Sequence, residues 1–229
     1  MLLGIIGAME SEVSALRVQM EGPRETVLAG ISYWEGTLMG VPAVLARCGI
    51  GKVHAAMCAL GMAERFHPDA MLNIGVAGAL LPELSVGDVV IASGAVQHDS
   101  DTSALGDPVG LVSGLPGVII PCDERLSLKL KASAEKAGLR AVSAVIATGD
   151  QFIASLEKKE WIASAFGAGA CDMEGGAVAQ VCLEEGIPYA AYRAISDTLM
   201  GNGLEYAQNV HVAADAGARL LRAFLPDLD

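Results

Sequence analysis

Three acids stand where apolar strands run out. The stretch GIIGAMESEV, residues 4–13, reads as a buried strand, a turn at Gly7 and the start of a helix. Side chains three and four apart share a helix face, so Met9, Glu12, Val13 and Leu16 form one stripe, with Glu12 inside it and Glu10 pointing elsewhere. Glu174 opens a helix in DMEGGAVAQVC, and Asp197 follows Ser196 at the end of the strand reading RAISD. Phe152 lies in TGDQFI, at another strand exit. Two separated carboxylates, a third suited to gripping hydroxyls and an aromatic face fit sugar–base chemistry. An oxocarbenium-like centre needs an acid for the leaving group and a base for water. Each residue also has a plain structural role. Glu12 and Glu174 could complement helix N-termini, Asp197 could cap whatever follows, and Phe152 could be core. Arg193, four residues before Asp197, could pair with any one of these acids.

These side chains need a scaffold that delivers strand ends to one rim. Residues 26–51 contain strand-like runs punctuated at Gly30, Gly36 and Gly40, which predicts an antiparallel meander. A helical pattern follows from Gly51 to Phe66. Next come a buried strand ending in the glycines of NIGVAG and a strand in GDVVIASGAV. Residues 98–118 read as a loop. Helices are expected near 123–137, 155–166, 174–185 and 204–224, with strands at AVSAVIATGD, GACDM and GIPYAAYRAISD. Phe66-His67-Pro68 and Gly186-Ile187-Pro188 read as helix stops that feed strands. Strands alternating with helices predict an α/β chain forming one domain over 1–229. The expected architecture is a three-layer sandwich with a mixed, mostly parallel central sheet flanked by helices. Ligands of such sheets gather at the C-terminal ends of strands.

The 229 residues suffice for one sizeable core, and the net charge of −12 disfavours nucleic acid and anionic lipid surfaces. No apolar run is long enough to span a membrane. MLLGIIGAME lacks a basic n-region and meets Glu10 at once, so no secretory signal is expected. The cysteines, Cys48, Cys58, Cys122, Cys171 and Cys182, show no C-x-x-C spacing and read as thiols of a reducing cytoplasm. GIGK at 49–52 falls short of a phosphate loop, because Ala46 and Val53 stand where Gly and Ser or Thr are needed. Its helix N-terminus could still hold an anion or polar ligand. HDSD at 98–101 has no second ligand cluster, and His54, His67 and His211 have no partner spacing. No metal is expected.

Taken in order, GIIGAMESEV, CGIGKVHAA, NIGVAGAL, VGDVVIA, HDSDTSALG, TGDQFI, DMEGGAVAQVC and RAISD resemble the bacterial methylthioadenosine/S-adenosylhomocysteine nucleosidases of the nucleoside phosphorylase superfamily. The resemblance spans nearly the whole chain. It implies that Asp197, oriented by Ser196, protonates adenine N7, and that Glu12, assisted by Arg193, activates water. It also implies that Glu174 and Met173 hold the ribose, that Phe152 stacks on the base and that the Ile153 backbone reads its edge. Ala8, Met9, Ile50, Val76, Ala77 and Gly78 would line the pocket. The implied assembly is a homodimer in which the partner's loop near Thr102 and Leu105 closes the site, with no cofactor.

The chain departs from the family pattern in places. Val76 replaces a frequent Ser, Asp172 a common Glu and Leu105 a frequent aromatic. The segment after Asp197, TLMGNGLEYAQN, matches loosely, with Tyr206 as the candidate pocket aromatic. Burial is the simplest way for the site to keep a proton on Asp197. Three other readings share parts of this pattern. A purine nucleoside phosphorylase would need a cation for phosphate, with Arg47 the nearby candidate. An aminodeoxyfutalosine nucleosidase would keep the adenine chemistry. A nucleoside-binding sensor would need no acid–base pair.

Overall fold

Leu3–Gly7 is buried at every position because it lies between two parallel neighbours and is covered on both faces. It is β1 of a computed structural model that describes residues 1–228. There follow α1 (Glu10–Gln19), β2 (Glu21–Leu28), β3 (Ile31–Leu38), β4 (Val41–Arg47), α2 (Lys52–Phe66), β5 (Ala70–Asn73), β6 (Val76–Ala79) and β7 (Val89–Gln97). The second half contains β8 (Ile120–Pro121), α3 (Glu124–Lys136), β9 (Ala141–Thr148), α4 (Leu156–Phe166), β10 (Ala168–Asp172), α5 (Gly175–Glu185), β11 (Tyr189–Asp197) and α6 (Gly203–Phe224). Helix boundaries carry their sequence signals. Asp123, Ser155 and Asn202 cap α3, α4 and α6 through side-chain oxygens, and His67 and Gly186 end α2 and α5 in the left-handed region before a proline.

The strands form one mixed sheet in the order β2-β3-β4-β1-β5-β11-β6-β10-β9-β7-β8. The meander β2-β3-β4 is antiparallel, as the punctuation predicts, and β1, β5 and β11 continue it in parallel. Helices α2 and α5 contact each other, and their buried residues share one apolar cluster. The buried residues of α1, α3 and α6 share another, which gives the three layers.

Two features depart from an open sandwich. β11 also pairs antiparallel with β7, so β11, β6, β10, β9 and β7 close into a ring. NIGVAG, expected to end a single strand, is two strands broken at Ile74-Gly75. At the break the Val76 amide donates to Glu12 Oε1 at 3.0 Å, so a side chain takes the place of a ladder carbonyl. A Cβ on Gly75 would stand 2.8 Å from that oxygen, hence the glycine. The loop after β7 contains one 3-10 turn at Ser103–Leu105. All five cysteines are free thiols, four of them buried. Among the described residues no helix is long and apolar enough to cross a membrane.

Candidate active site

The exits of β1, β6, β10 and β11 surround a cavity of about 320 Å³. Glu12, Asp172, Glu174 and Asp197 line it. Ala8, Met9, Ile50, Val76, Ala77, Gly78, Phe152, Ile153, Met173, Ser196 and Tyr206 line it as well. The structure therefore brings together the three acids and every pocket residue that the sequence pointed to. Arg193, Thr102 and Leu105 do not line it. Leu105 is 83% exposed on the 3-10 turn.

Glu12 sits at the third position of α1. Its Oε2 reaches back to accept from the Ala8 and Met9 amides at 2.7 and 2.9 Å. The helix-capping role and the cavity position therefore coincide in one side chain. Burial pushes its carboxyl above the ordinary range. The amides of Met9, Val76 and Ala8 and the charge of Arg193 pull the other way without cancelling the shift. A base with a raised pKa is better matched to proton abstraction near neutrality.

Glu174 is the N-cap residue of α5, but its side chain makes no capping bond. Its Oε1 accepts from the Gly51 amide at 2.7 Å, at the N-terminus of α2. The Lys52 amide beside it is held by Asp150 at 2.8 Å. The GIGK helix start is thus occupied by the protein's own carboxylates. Burial first, and the charge of Asp172 next, push Glu174 up to about 7.

β11 is buried along its whole length. Its pairing with β6 slips between Ile195 and Asp197, so two β11 residues oppose one on β6. Such a bulge re-aims a side chain. Here it accompanies Asp197 at the cavity wall, 2% exposed, with Ser196 Oγ 2.9 Å from Asp197 Oδ1 and 3.1 Å from the Ala77 carbonyl. A Cβ on Gly78 would come within 2.9 Å of Asp197 Oδ2, which explains the second essential glycine of NIGVAG.

Arg193 lies behind this wall. Nε donates to Asp172 Oδ2 at 2.9 Å, Nη1 to the carbonyls of Asn73 and Tyr192 at 3.1 and 2.8 Å, and Nη2 to Asp172 Oδ2 and Asn73 Oδ1. These contacts use all five guanidinium donors. Arg193 therefore reaches Glu12 only through its charge, not by a hydrogen bond. Asp172 is equally committed, to Arg193, to the Gly175 amide at 2.8 Å and to Thr148 Oγ1 at 2.5 Å. Phe152, 50% exposed, meets Tyr206 edge-to-face with ring centres 5.5 Å apart, and Tyr206 donates its hydroxyl toward Met9 Sδ at 3.3 Å.

Residues 2–226 match the model of the phosphorylase superfamily. The chain is 42% identical over 228 residues to a 5′-methylthioadenosine/S-adenosylhomocysteine nucleosidase of Geobacillus kaustophilus, covering 98% of this chain and 97% of that one. The chain belongs to the methylthioadenosine/S-adenosylhomocysteine nucleosidase family of the phosphorylase superfamily. A Neisseria meningitidis nucleosidase of the same name, solved with methylthio-immucillin-A, superposes with a TM-score of 0.95 at 33% identity, covering 99% of each chain. The futalosine hydrolase of Helicobacter pylori superposes at 0.93 and 32% identity, covering 99% of this chain and 98% of that one.

Three residues around this nucleosidase-family cavity were given no site role from the sequence, although Gln151 stands in the strand exit TGDQFI. Gln151 and Cys171 line it. Lys159, fully buried on α4, places Nζ 3.1 Å from Asp197 Oδ2. Burial pushes the Cys171 thiol up to about 12, so it stands in the wall as a neutral group. Lys159 changes the account of Asp197. Burial was expected to load that carboxyl with a proton, and the structure instead buries it against a cation. The signal for Lys159 was its spacing of three from Ile162, the other buried residue of α4.

Proposed function

We propose that this protein hydrolyses the N-glycosidic bond of 5′-methylthioadenosine and S-adenosylhomocysteine, releasing adenine and the thioribose product. The observation that carries the reading is the lining of the cavity, where four carboxylates meet apolar and aromatic walls with no Lys or Arg among the lining residues. Phosphorolysis needs a cation to hold phosphate among such charges. Arg47, the nearby candidate, pairs at the surface with Glu10 at 3.3 Å, and Arg193 has no donor free. Water, being neutral, enters without that repulsion.

In this reading Glu12 accepts a proton from water as the oxygen bonds to C1′ of the sugar. The bond from C1′ to N9 breaks, its electron pair passes into adenine, and Asp197 delivers a proton to N7. Glu174 takes the ribose hydroxyls over Met173. Phe152 and Ile153 hold the base, with Tyr206 beside Phe152. No metal or organic cofactor takes part. The acid–base pair also argues against a pure nucleoside sensor, since binding alone needs neither group. Incubation with methylthioadenosine in phosphate-free buffer, followed by chromatography, should yield adenine and free 5-methylthioribose. Turnover that vanishes without phosphate and yields a sugar 1-phosphate would overturn the proposal. Parallel turnover of aminodeoxyfutalosine, the substrate of the alternative nucleosidase reading, ranks the 5′ preference.

The chain acts as one domain and as a homodimer, within the cytoplasm and in methionine salvage. The outer face of α2 supports the dimer. Val53, Met57 and Leu60 are 70, 45 and 46% exposed, and with Ala56 they form an apolar stripe at helical spacing. Ile50, 55% exposed, continues that stripe to the cavity, so a partner covering it would bring its Thr102–Leu105 turn to the 5′ end of the site. Sedimentation at micromolar concentration should give a dimer. Leu60→Asp should give a monomer with reduced kcat/KM. A fully active wild-type monomer would refute the assembly.

A further inference from the structure

Lys159 and Ile162 are the buried residues of α4, on the face that packs inward. A lysine on such a face is expensive unless its charge is matched. The match here is complete. Nζ lies 3.1 Å from Asp197 Oδ2, 2.9 Å from the Thr198 carbonyl and 3.1 Å from the Gly201 carbonyl. Three acceptors meet three N–H donors, and only the ammonium form has three. Oδ1 of Asp197 faces Ser196 Oγ at 2.9 Å, so both carboxylate oxygens have partners. The lysine therefore ties α4, which follows the cavity-lining Phe152 and Ile153, to the end of β11 and to the turn 198–201 that leads into α6 and the cavity-lining Tyr206.

We propose that Lys159 is a positioning residue of the leaving-group acid: its ammonium fixes the Asp197 carboxylate toward the purine. The inference rests on the reading of Asp197 as the acid that protonates N7. The proton then reaches Asp197 from solvent when the base arrives, and passes from its oxygen to N7 as the glycosidic bond breaks. The other groups around the pair leave this charge balance in place. Cys171 on β10 is a neutral thiol, and Asp172 on the same strand is held by Arg193. From α6, Glu205 accepts from the Thr198 amide and hydroxyl at 3.3 and 3.1 Å, and Tyr206 lines the cavity as a phenol whose ionisation burial disfavours. Glu12 and Glu174 complete the cavity's charged groups near the acid.

The test is Lys159→Met, similar in length and without charge. Misplacing the acid should lower plateau kcat about tenfold or more, within the roughly 10²-fold scale of small catalytic displacements, while KM for the nucleoside stays within about threefold. Losing the cation should also change the alkaline limb of kcat, because the charge beside the acid is gone. Wild-type kcat with a wild-type limb would overturn the proposal, and so would a fall in kcat with the limb unmoved, which would reduce Lys159 to packing. Infrared difference spectra of unliganded wild type minus Asp197→Asn, at neutral pH, need neither a folded Lys159 variant nor turnover. They should show a carboxylate stretch for Asp197, and a carboxylic-acid carbonyl stretch would overturn the proposal. Failure of the wild type to release adenine would instead strike the function itself, leaving the infrared result to stand alone.

Discussion

Asp197→Asn should lower kcat by at least roughly 10², the lower end of what one general acid contributes. Asn keeps the size of the side chain, and its oxygen can still accept from Lys159 while its amide donates to Ser196. It cannot transfer a proton. The loss should appear in kcat and kcat/KM alike, since the missing interaction exists only in the transition state. Nucleoside affinity, measured by calorimetry, should change far less. A second readout comes from the buried pair. Removing one partner of such a pair costs about 3–5 kcal/mol when the other is left bare, and less here because the Asn oxygen still faces the ammonium. A lowered Tm is therefore expected, and kcat must be measured below it. The wild type should lose kcat on the alkaline side as the acid gives up its proton. A variant that keeps wild-type kcat and the same alkaline decline would mean that another residue is the acid.

The acids were legible because local patterns identify strand exits and helix faces. Glu12 stood out as a charge on a stripe with Val13 and Leu16, both of which are buried. Glu174 and Asp197 stood out because each follows an apolar run that becomes a buried strand. The meander was legible for the same reason. Contacts between residues far apart in sequence were not. Lys159 sits in the run EKKEW, whose charges read as a solvated face and mask its spacing from Ile162, and the packing of α4 on β10 and β9 decides that one of the two lysines points inward. The commitment of Arg193 to Asp172 and Asn73 joins residues 21 and 120 apart. Likewise, closure of the ring by β7 and β11 and the break at Gly75 follow from where other chain segments come to rest, which no local period encodes.

Glu12→Gln should lower kcat by about 10²–10⁴ while a nucleoside still binds, if Glu12 is the group that takes the proton from water. The substitution keeps shape but not hydrogen bonding. Glu12 accepts three backbone amides, from Ala8 and Met9 on Oε2 and from Val76 on Oε1. A Gln must turn its NH₂ toward one side and leave at least one buried amide unpaired, at about 1–3 kcal/mol. Against this, Gln carries no charge to bury. The balance depends on pH with a definite sign. The folded-state pKa of Glu12 lies above its ordinary value, so between the two values the native state binds more protons than the unfolded chain. That stability is fully present below the ordinary value and is lost as pH rises through the raised one. Wild type should therefore lose Tm relative to Glu12→Gln across the window. Catalysis runs the other way, because the base must be ionised, so wild-type kcat/KM should rise through the same window. Glu174 supplies an internal check. The charge of Glu12 is among the causes that push Glu174 up to about 7, so in the variant the acid-side limb of nucleoside affinity should move to lower pH. Near wild-type kcat in Glu12→Gln would return Glu12 to its other role, holding the first amides of α1, and would leave the attacking water without its base.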